Sequence, residues 1–442
     1  MCFELRGTRF QARLMMSLVP TEHWDYRLTD TVRGLLTAFS ARRAGGDPYL
    51  AVQGLGSCIP VRSARAAIVV ALKALSLRAG ASVAVPLYCC PVVLTAIEVA
   101  GCRARFIDVD PNTYCISAAD LALKSFGVDA VIAVHMFGNV CDMPALRQAA
   151  PGKPFIEDCA QSLGSRLGAK VAGSFGEIAV FSFRSGKYVS AGEGGAVYCS
   201  QTDLESRVSK LIVELPIPSH ADDCVHVFKT YLRSSLRSKP LWGLIGSRLW
   251  SAYSEKVGFT SQAPIVMGQI YAADRDTAVR RLSVLDSFIE KQRSNADYYS
   301  RNLTVDADML CSETPGRFFN RLQYPLLVPT SQQCDELAAR LHKEQISTAR
   351  PYKDIAAIAA AHYGYTGDCP QAERIARTVL VIPCNCALSA ADLERIANSI
   401  NQAWAEIGGL HGVRVPSIAG HNAGPPKTRD RDTVPEPHNS LE

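Results

Sequence analysis

Between residues 63 and 200, short apolar runs bounded by Gly, Pro and Asp alternate with stretches of helical periodicity. That alternation limits the fold more than any other feature of the chain. Helices are read over 64–77, 92–100 (closed by Gly101) and 143–150, and strands over 82–86, 105–109, 129–135 and 154–158. Strands separated by helices of this length pair in parallel through crossovers. The fold class expected is α/β, with a large domain built on a mostly parallel sheet.

Past residue 200 the rhythm changes. Residues 203–256 lack strand patterning and hold a basic, aromatic-rich segment, whereas helical periodicity returns over 264–303 with Leu282, Leu285, Phe288 and Ile289 on the apolar side. Strand-like 322–328 and 379–382 and helix-like 332–344 and 389–407 then make an α+β pattern. A chain of 442 residues exceeds what one core usually supports, so two domains are expected. The division read from sequence is an N-terminal arm (1–50), a large α/β domain (51–260) with an excursion at 203–256, a smaller α+β domain (261–412) and a disordered tail (413–442) rich in Pro, Gly and charge.

Composition excludes several function classes. A net charge of +5 with no general basic stripe argues against a nucleic-acid partner. Fifteen cysteines, odd in number, scattered and in places adjacent (Cys89-Cys90), suit a reduced, cytoplasmic setting, and none has the spacing of a zinc site. The first residues interleave Glu4, Arg6, Arg9 and Arg13 with apolar positions, unlike a signal peptide. No apolar run reaches the length of a membrane span.

The densest chemistry lies in IEDCAQSLGS and GSFGEIAVFSFRSGKYVSAGEGGAVYCS. Asp158 ends one apolar strand, and Lys187 follows a second (178–183) in a Ser/Gly-rich turn. Ligands of open parallel sheets sit beyond the carboxyl ends of strands, where two such residues can meet. A lysine and a carboxylate are what pyridoxal 5′-phosphate (PLP) needs, one to hold its aldehyde and the other to keep its ring nitrogen protonated. Spacing alone leaves open a surface lysine and a strand-end aspartate.

These motifs resemble the PLP-dependent sugar aminotransferases of the DegT/DnrJ/StrS group, fold-type I, from about Gln53 to Gly409. The resemblance implies that Lys187 is the Schiff-base lysine, Asp158 the partner of the ring nitrogen, Gln161 the neighbour of the 3-hydroxyl and Ser182 a phosphate ligand. Ser63-Ala64-Arg65 falls where the family has a Ser-Gly-Thr-like turn, at a helix start suited to an anion. The family's ring-covering aromatic aligns with Cys90, and Tyr88, two residues earlier, is the alternative cover. His135-Met136-Phe137-Gly138 with Asp142, Gly173 to Gly176 and Gly192 to Gly195 also match; His135 reads as a packing residue and the glycines as turn formers. The Asn-Tyr-Arg-like segment that reaches a partner's cofactor is replaced by residues 258–264.

By this resemblance the chain is expected to be a homodimeric aminotransferase. It would move an amino group from glutamate or glutamine to a keto-sugar, on a nucleotide, for polysaccharide or glycan synthesis. A cyclitol or other ketone acceptor, and a PLP-binding regulator without turnover, are the rival readings. Within 225–250, Lys229, Arg233 and Arg237 share one helical face, each preceded by Phe228, Leu232 or Leu236. Two readings follow: a solvated basic face with the apolar face packed on the large domain, or peripheral contact with an anionic membrane.

Overall fold

The structure is a computed structural model that describes residues 18–40, 49–52, 54–238, 241–243, 264–313 and 316–408. The tail expected after 413, and Lys239, Arg248 and Trp250 of the basic excursion, lie outside the described residues. So do residues 258–263 of the segment replacing the Asn-Tyr-Arg-like motif.

Thirteen strands are present among the described residues: β1 (Leu50–Val52), β2 (Gly56–Val61), β3 (Ser82–Pro86), β4 (Arg103–Ile107), β5 (Ala130–Val134), β6 (Phe155–Asp158), β7 (Arg166–Leu167), β8 (Lys170–Val171), β9 (Ile178–Ser182), β10 (Gly195–Cys199), β11 (Arg317–Phe318), β12 (Tyr324–Leu327) and β13 (Val379–Ile382). The helices used below are α1 (Leu28–Phe39), α2 (Ala64–Ala74), α3 (Pro91–Val99), α4 (Ala118–Lys124), α5 (Met143–Ala149), α6 (Thr202–Val213), α7 (His220–Leu236), α8 (Ala272–Leu282), α9 (Leu285–Asn302), α10 (Ser331–Lys343), α11 (Ile355–Tyr363), α12 (Pro370–Thr378) and α13 (Ala390–Gly408).

Eight strands form one sheet in the order β1-β2-β10-β9-β6-β5-β3-β4. The five from β9 to β4 are parallel, as the alternation of strand and helix requires. At the other edge β10, β2 and β1 continue the sheet antiparallel. The reason is local: the connection from β9 to β10 holds no helix to carry a crossover, so the chain turns back on itself. β5 (AVIAV) is buried along its whole length, the signature of a strand covered on both faces.

A second core gathers Tyr299, Leu326, Leu337, Leu341, Ile396 and Trp404 around the antiparallel pair β12 and β13, with α9, α10 and α13. Helices α11 and α12 were not read from sequence. Their Ile355, Ala359 and Ile375 pack instead into the core of the large sheet. The N-terminal segment is also structured. Val19 exchanges backbone hydrogen bonds with Gln345 and Ser347 at 2.9 and 3.0 Å, after which the chain crosses to α1.

The excursion contains α7, whose orientation corrects the expectation that its apolar face packs on the large domain. Phe228 and Leu232 are exposed, and the buried face is Asp223, His226, Val227, Thr230 and Ser234. Helix α1 presents Gly34 there, where a Cβ would lie 2.9 Å from Val227 Cγ2 and 3.2 Å from Ala273 Cβ. Small and polar residues allow this close approach, which bulky Phe and Leu would prevent. No helix among the described residues is long and apolar enough to cross a membrane.

Candidate active site

Parallel strands β6 and β9 are neighbours, so their carboxyl ends open on the same edge of the sheet. Asp158, the last residue of β6, is buried, and its Oδ1 accepts the Ala160 N–H at 3.0 Å. Burial lifts its carboxyl above the ordinary range, although the Ala160 N–H and the charges of Lys187 and His135 act the other way. A buried carboxylate of this kind is improved by a cation placed directly against it.

Lys187 sits in the loop that returns from β9 to β10. The loop is tied to itself by Ser185 N–H to Gly192 O (3.0 Å), Lys187 N–H to Arg184 O (3.0 Å) and Ala191 N–H to Phe183 O (2.9 Å). Below it, Asp274 of α8 accepts the Glu193 N–H at 3.0 Å and pairs with His226 of α7 at 2.9 Å. Helix α7 thus buttresses the loop that carries the lysine. Gly186 has φ +90°, and a Cβ there would meet Glu22 Oε2 at 2.7 Å. The N-terminal segment therefore lies directly over the lysine turn.

A small cleft beside the loop is lined by Glu22, Lys187, Tyr188, Gln292, Leu322 and Asn385 among others, and Asp158, Gln161 and Cys90 are not part of its lining. Desolvation, followed by the Arg184 charge, pulls the Lys187 amine down to about 8, while Glu22, Cys90 and Asp158 oppose the fall. A neutral amine is the nucleophile toward an aldehyde. In protein freed of any bound aldehyde, capture of PLP should quicken about tenfold per pH unit below about 8 and level off above it. Glu22 favours the ammonium, so Glu22→Gln should move that break to lower pH. Stopped-flow absorbance reads both, and a break that Glu22→Gln leaves in place would refute this electrostatic account.

A third group of residues meets at the start of α2. Ser63 caps the helix, its Oγ accepting the Ala66 N–H at 3.3 Å, and bridges to Gly194. Gly195 pairs with Ser182 at the end of β9, and a Cβ on Gly195 would lie 2.6 Å from Ala64 N. Glycine at 195 thus lets the strand pass against the helix start, bringing Ser182, Ser63, Ala64 and Arg65 to one place. The Ala64 and Arg65 N–H groups belong to the first helical turn, whose donors have no intrahelical acceptor. Ala64 stands inside that turn, so its side chain is accommodated where the related pattern has glycine.

Tyr88 and Cys90 separate clearly. Tyr88 is fully buried, donates its hydroxyl to Pro351 O at 3.1 Å and packs edge-on against Tyr352 at 5.6 Å. It is a core residue rather than a wall of the cleft. Cys90 caps α3 without a side-chain bond; burial pushes its thiol up, while the charges of Arg184 and Lys187 draw it back. Tyr352, which sequence reasoning missed, has φ +59° and accepts from Gln161 Nε2 at 3.3 Å. Gln161 Oε1 accepts the Phe137 N–H at 3.2 Å.

His135 is structural, as read. Its Nδ1 accepts the Cys141 N–H at 3.1 Å, so Nε2 carries the proton and donates to Glu157 at 2.9 Å. Glu157 also accepts from Gly173, Phe175 and Gly176 N–H groups at 2.9, 2.7 and 2.5 Å. The Gly-Ser-Phe-Gly motif is therefore the cradle of a buried carboxylate behind the site.

The residues present fit PLP. A buried carboxylate without a cation in direct contact among the described residues, a lysine with a depressed pKa and a helix start backed by glycine match its ring nitrogen, aldehyde and phosphate in turn. Comparison with known proteins agrees. The DegT/DnrJ/EryC1/StrS aminotransferase family model matches residues 50–401. GDP-perosamine synthase of Escherichia coli O157:H7 is 26% identical over 349 residues, 78% of this chain and 85% of that protein. L-glutamine:2-deoxy-scyllo-inosose aminotransferase of Streptoalloteichus tenebrarius is 33% identical over 177 residues, 39% of this chain and 41% of that protein. The Spr1654 protein of Streptococcus pneumoniae, solved in a PLP form, superposes with a TM-score of 0.66 at 17% identity, over 88% of this chain and 99% of that one.

Proposed function

Because the chain belongs to the DegT/DnrJ/EryC1/StrS aminotransferase family, whose members depend on PLP, we propose that it moves an amino group from glutamate or glutamine to a keto-sugar carried on a nucleotide, in cytoplasmic polysaccharide or glycan synthesis. The observation that carries this reading is the convergence of Lys187, in the loop after β9, and Asp158, at the end of neighbouring β6, close enough to shift each other's ionisation, within a match that spans most of the chain. When bound, PLP supplies the electron sink that lets a proton leave the carbon bearing the amino group.

This chain's residues supply the rest. Lys187 Nζ holds the cofactor and, once released, takes a proton from one carbon and returns it to another; an amine near pKa 8 suits both directions. Asp158 holds the ring nitrogen in its protonated form. The N–H groups of Ala64 and Arg65, with the hydroxyls of Ser63 and Ser182, hold the phosphate. Gln161 positions the ring at its 3-hydroxyl side. Tyr352, held by Gln161 and packed edge-on against Tyr88, would take the covering place that Cys90 leaves open. Exposed Arg184, next to the lysine turn, offers a cation to a donor carboxylate or an acceptor diphosphate.

The nucleotide-linked acceptor is preferred because similarity to the GDP-perosamine synthase extends over 78% of the chain. A cyclitol ketone is the second reading, favoured by the higher identity, over a shorter stretch, to the scyllo-inosose enzyme. A homodimer with sites near the interface completes the proposal. Exposed Val213, Ile217 and Val266 lie along segments that hydrogen-bond through Pro216, Gly268 and Gln269 to the Arg62 backbone beside the α2 start. The decisive experiment adds glutamate or glutamine to the holoenzyme and then a panel of nucleotide keto-sugars and inosose-type ketones. A change in cofactor absorbance with the donor, reversed by a nucleotide keto-sugar with formation of an amino sugar, is the expected result. Reversal only by the cyclitol ketones would replace the acceptor assignment.

A further inference from the structure

We propose that the paired helices α1 and α7 form a docking surface for an anionic lipid bilayer. On α1, Leu28, Val32, Leu36 and Phe39 recur at helical spacing and are exposed, Leu36 by 66% and Phe39 by 73%. On α7, Val225, Phe228 and Leu232 do the same, Phe228 by 64% and Leu232 by 50%. The two helices pack against each other through the face bearing Gly34 and Val227. Burying that polar and small-residue face leaves both bulky apolar stripes outward. Single exposed apolar residues are ordinary, but two such stripes on adjoining helices mark a contact surface.

Charge decides the occupant. Arg33, Lys229 and Arg233 are exposed on these helices and have no acidic partner among the described residues. The acids nearby are neutralised or occupied: Asp30 is buried against Arg280 and Arg281, Asp223 accepts the Ala272 N–H, and Asp222 is engaged with the Ser219 cap. The chain holds no Asp or Glu between Asp223 and Glu255, while Lys239, Arg248, Trp250 and several aliphatic residues follow α7. A second copy seated on this face by two-fold symmetry would bring the same cations together. An anionic bilayer satisfies both the apolar stripes and the cations, the pattern of helices that lie in the interface plane.

Arg237, read with Lys229 and Arg233 as one basic face, does not take part, nor does Trp242. Arg237 turns inward, 3.7 Å from Glu22 and over the rings of Trp24 and Trp242 at 4.3 and 4.8 Å, and Trp242 is buried there. The basic contribution on α7 therefore comes from Lys229 and Arg233, with Phe228 and Leu232 as the inserting residues.

The test is co-sedimentation of the full-length holoenzyme with vesicles of neutral phosphatidylcholine, with and without phosphatidylserine. Binding to the anionic vesicles alone, weakened by salt, is expected. Lys229→Glu with Arg233→Glu should weaken it at least about tenfold, and Phe228→Glu with Leu232→Glu, or Val32→Glu with Leu36→Glu, should abolish it. Unchanged circular dichroism and cofactor absorbance show that the variants are folded. No binding to anionic vesicles at low salt, equal binding to both vesicle types, or apolar-stripe variants that bind like wild type would overturn the proposal. So would sedimentation equilibrium showing that Phe228→Glu with Leu232→Glu converts a dimer to a monomer, because the occupant would then be a second copy. None of these readouts depends on the acceptor.

Discussion

Lys187→Ala is expected to lower transamination by about four orders of magnitude or more, since it removes both the covalent anchor and the proton-transferring amine, and a positioned acid–base group alone contributes about 10²–10⁴. Borohydride reduction of the wild-type holoenzyme followed by peptide mapping should place the pyridoxyl group on Lys187. The variant should still take up PLP without a covalent bond, because Asp158, Gln161 and the α2 start are untouched. Small amines in the buffer should restore part of the activity if the lost function is proton transfer at that position. An adduct on a different lysine would remove Lys187 from the mechanism.

Asp158→Asn is expected to cost about a hundredfold in turnover while cofactor remains bound. A charge-assisted hydrogen bond is worth about 1.5–3 kcal/mol, and each 1.36 kcal/mol is a factor of ten in rate. Folding stability should move in the other direction or not at all. Burial holds the Asp158 carboxyl above its ordinary pKa, so the folded state disfavours the charge, and an amide relieves that penalty as pH rises. Thermal unfolding of the cofactor-free protein near neutral pH should therefore show no loss for the variant. A variant that unfolds earlier and turns over normally would make Asp158 a structural residue.

Much of this arrangement was legible in the chain itself. The alternation of strands and helices placed β4, β5, β6 and β9 within a residue or two of their observed ends, and β3 and β13 at theirs. Such segments are legible because burial on both faces leaves a continuous apolar run bounded by turn residues. Lys187 and Asp158 stood out through the resemblance of their motifs, and parallel strands make their convergence possible by opening carboxyl ends on one edge. Among the elements that escaped, beside the short α4, β7, β8 and β11, are α1, α11, α12 and the strands β1, β2 and β10, which complete cores or edges supplied by distant segments, where local periodicity is a weaker guide.

What the sequence determined by itself was the α/β class and the glycines of the Gly-Glu-Gly-Gly and Gly-Ser-Phe-Gly turns, whereas the pairing of Lys187 with Asp158 was implied by family resemblance and left open by spacing. The class and the glycines follow from periodicity and short-range backbone geometry. Tertiary structure alone decided which groups surround Lys187 and Gln161. Glu22 arrives beside Lys187 from the N-terminal segment, Tyr352 arrives beside Gln161 from the C-terminal part, and neither carries a local signal of its destination. It also decided that Tyr88 packs inward while Cys90 lies close enough to Arg184 and Lys187 to feel their charges. For α7 the pattern of Phe228 and Leu232 pointed inward, yet the helix is rotated outward. The close contact at Gly34 accepts Val227, and Thr230 and Ser234 on the same face bond to His226 and to the Trp24 and Tyr26 backbone, so packing against neighbours overrode the helix's own amphipathic pattern.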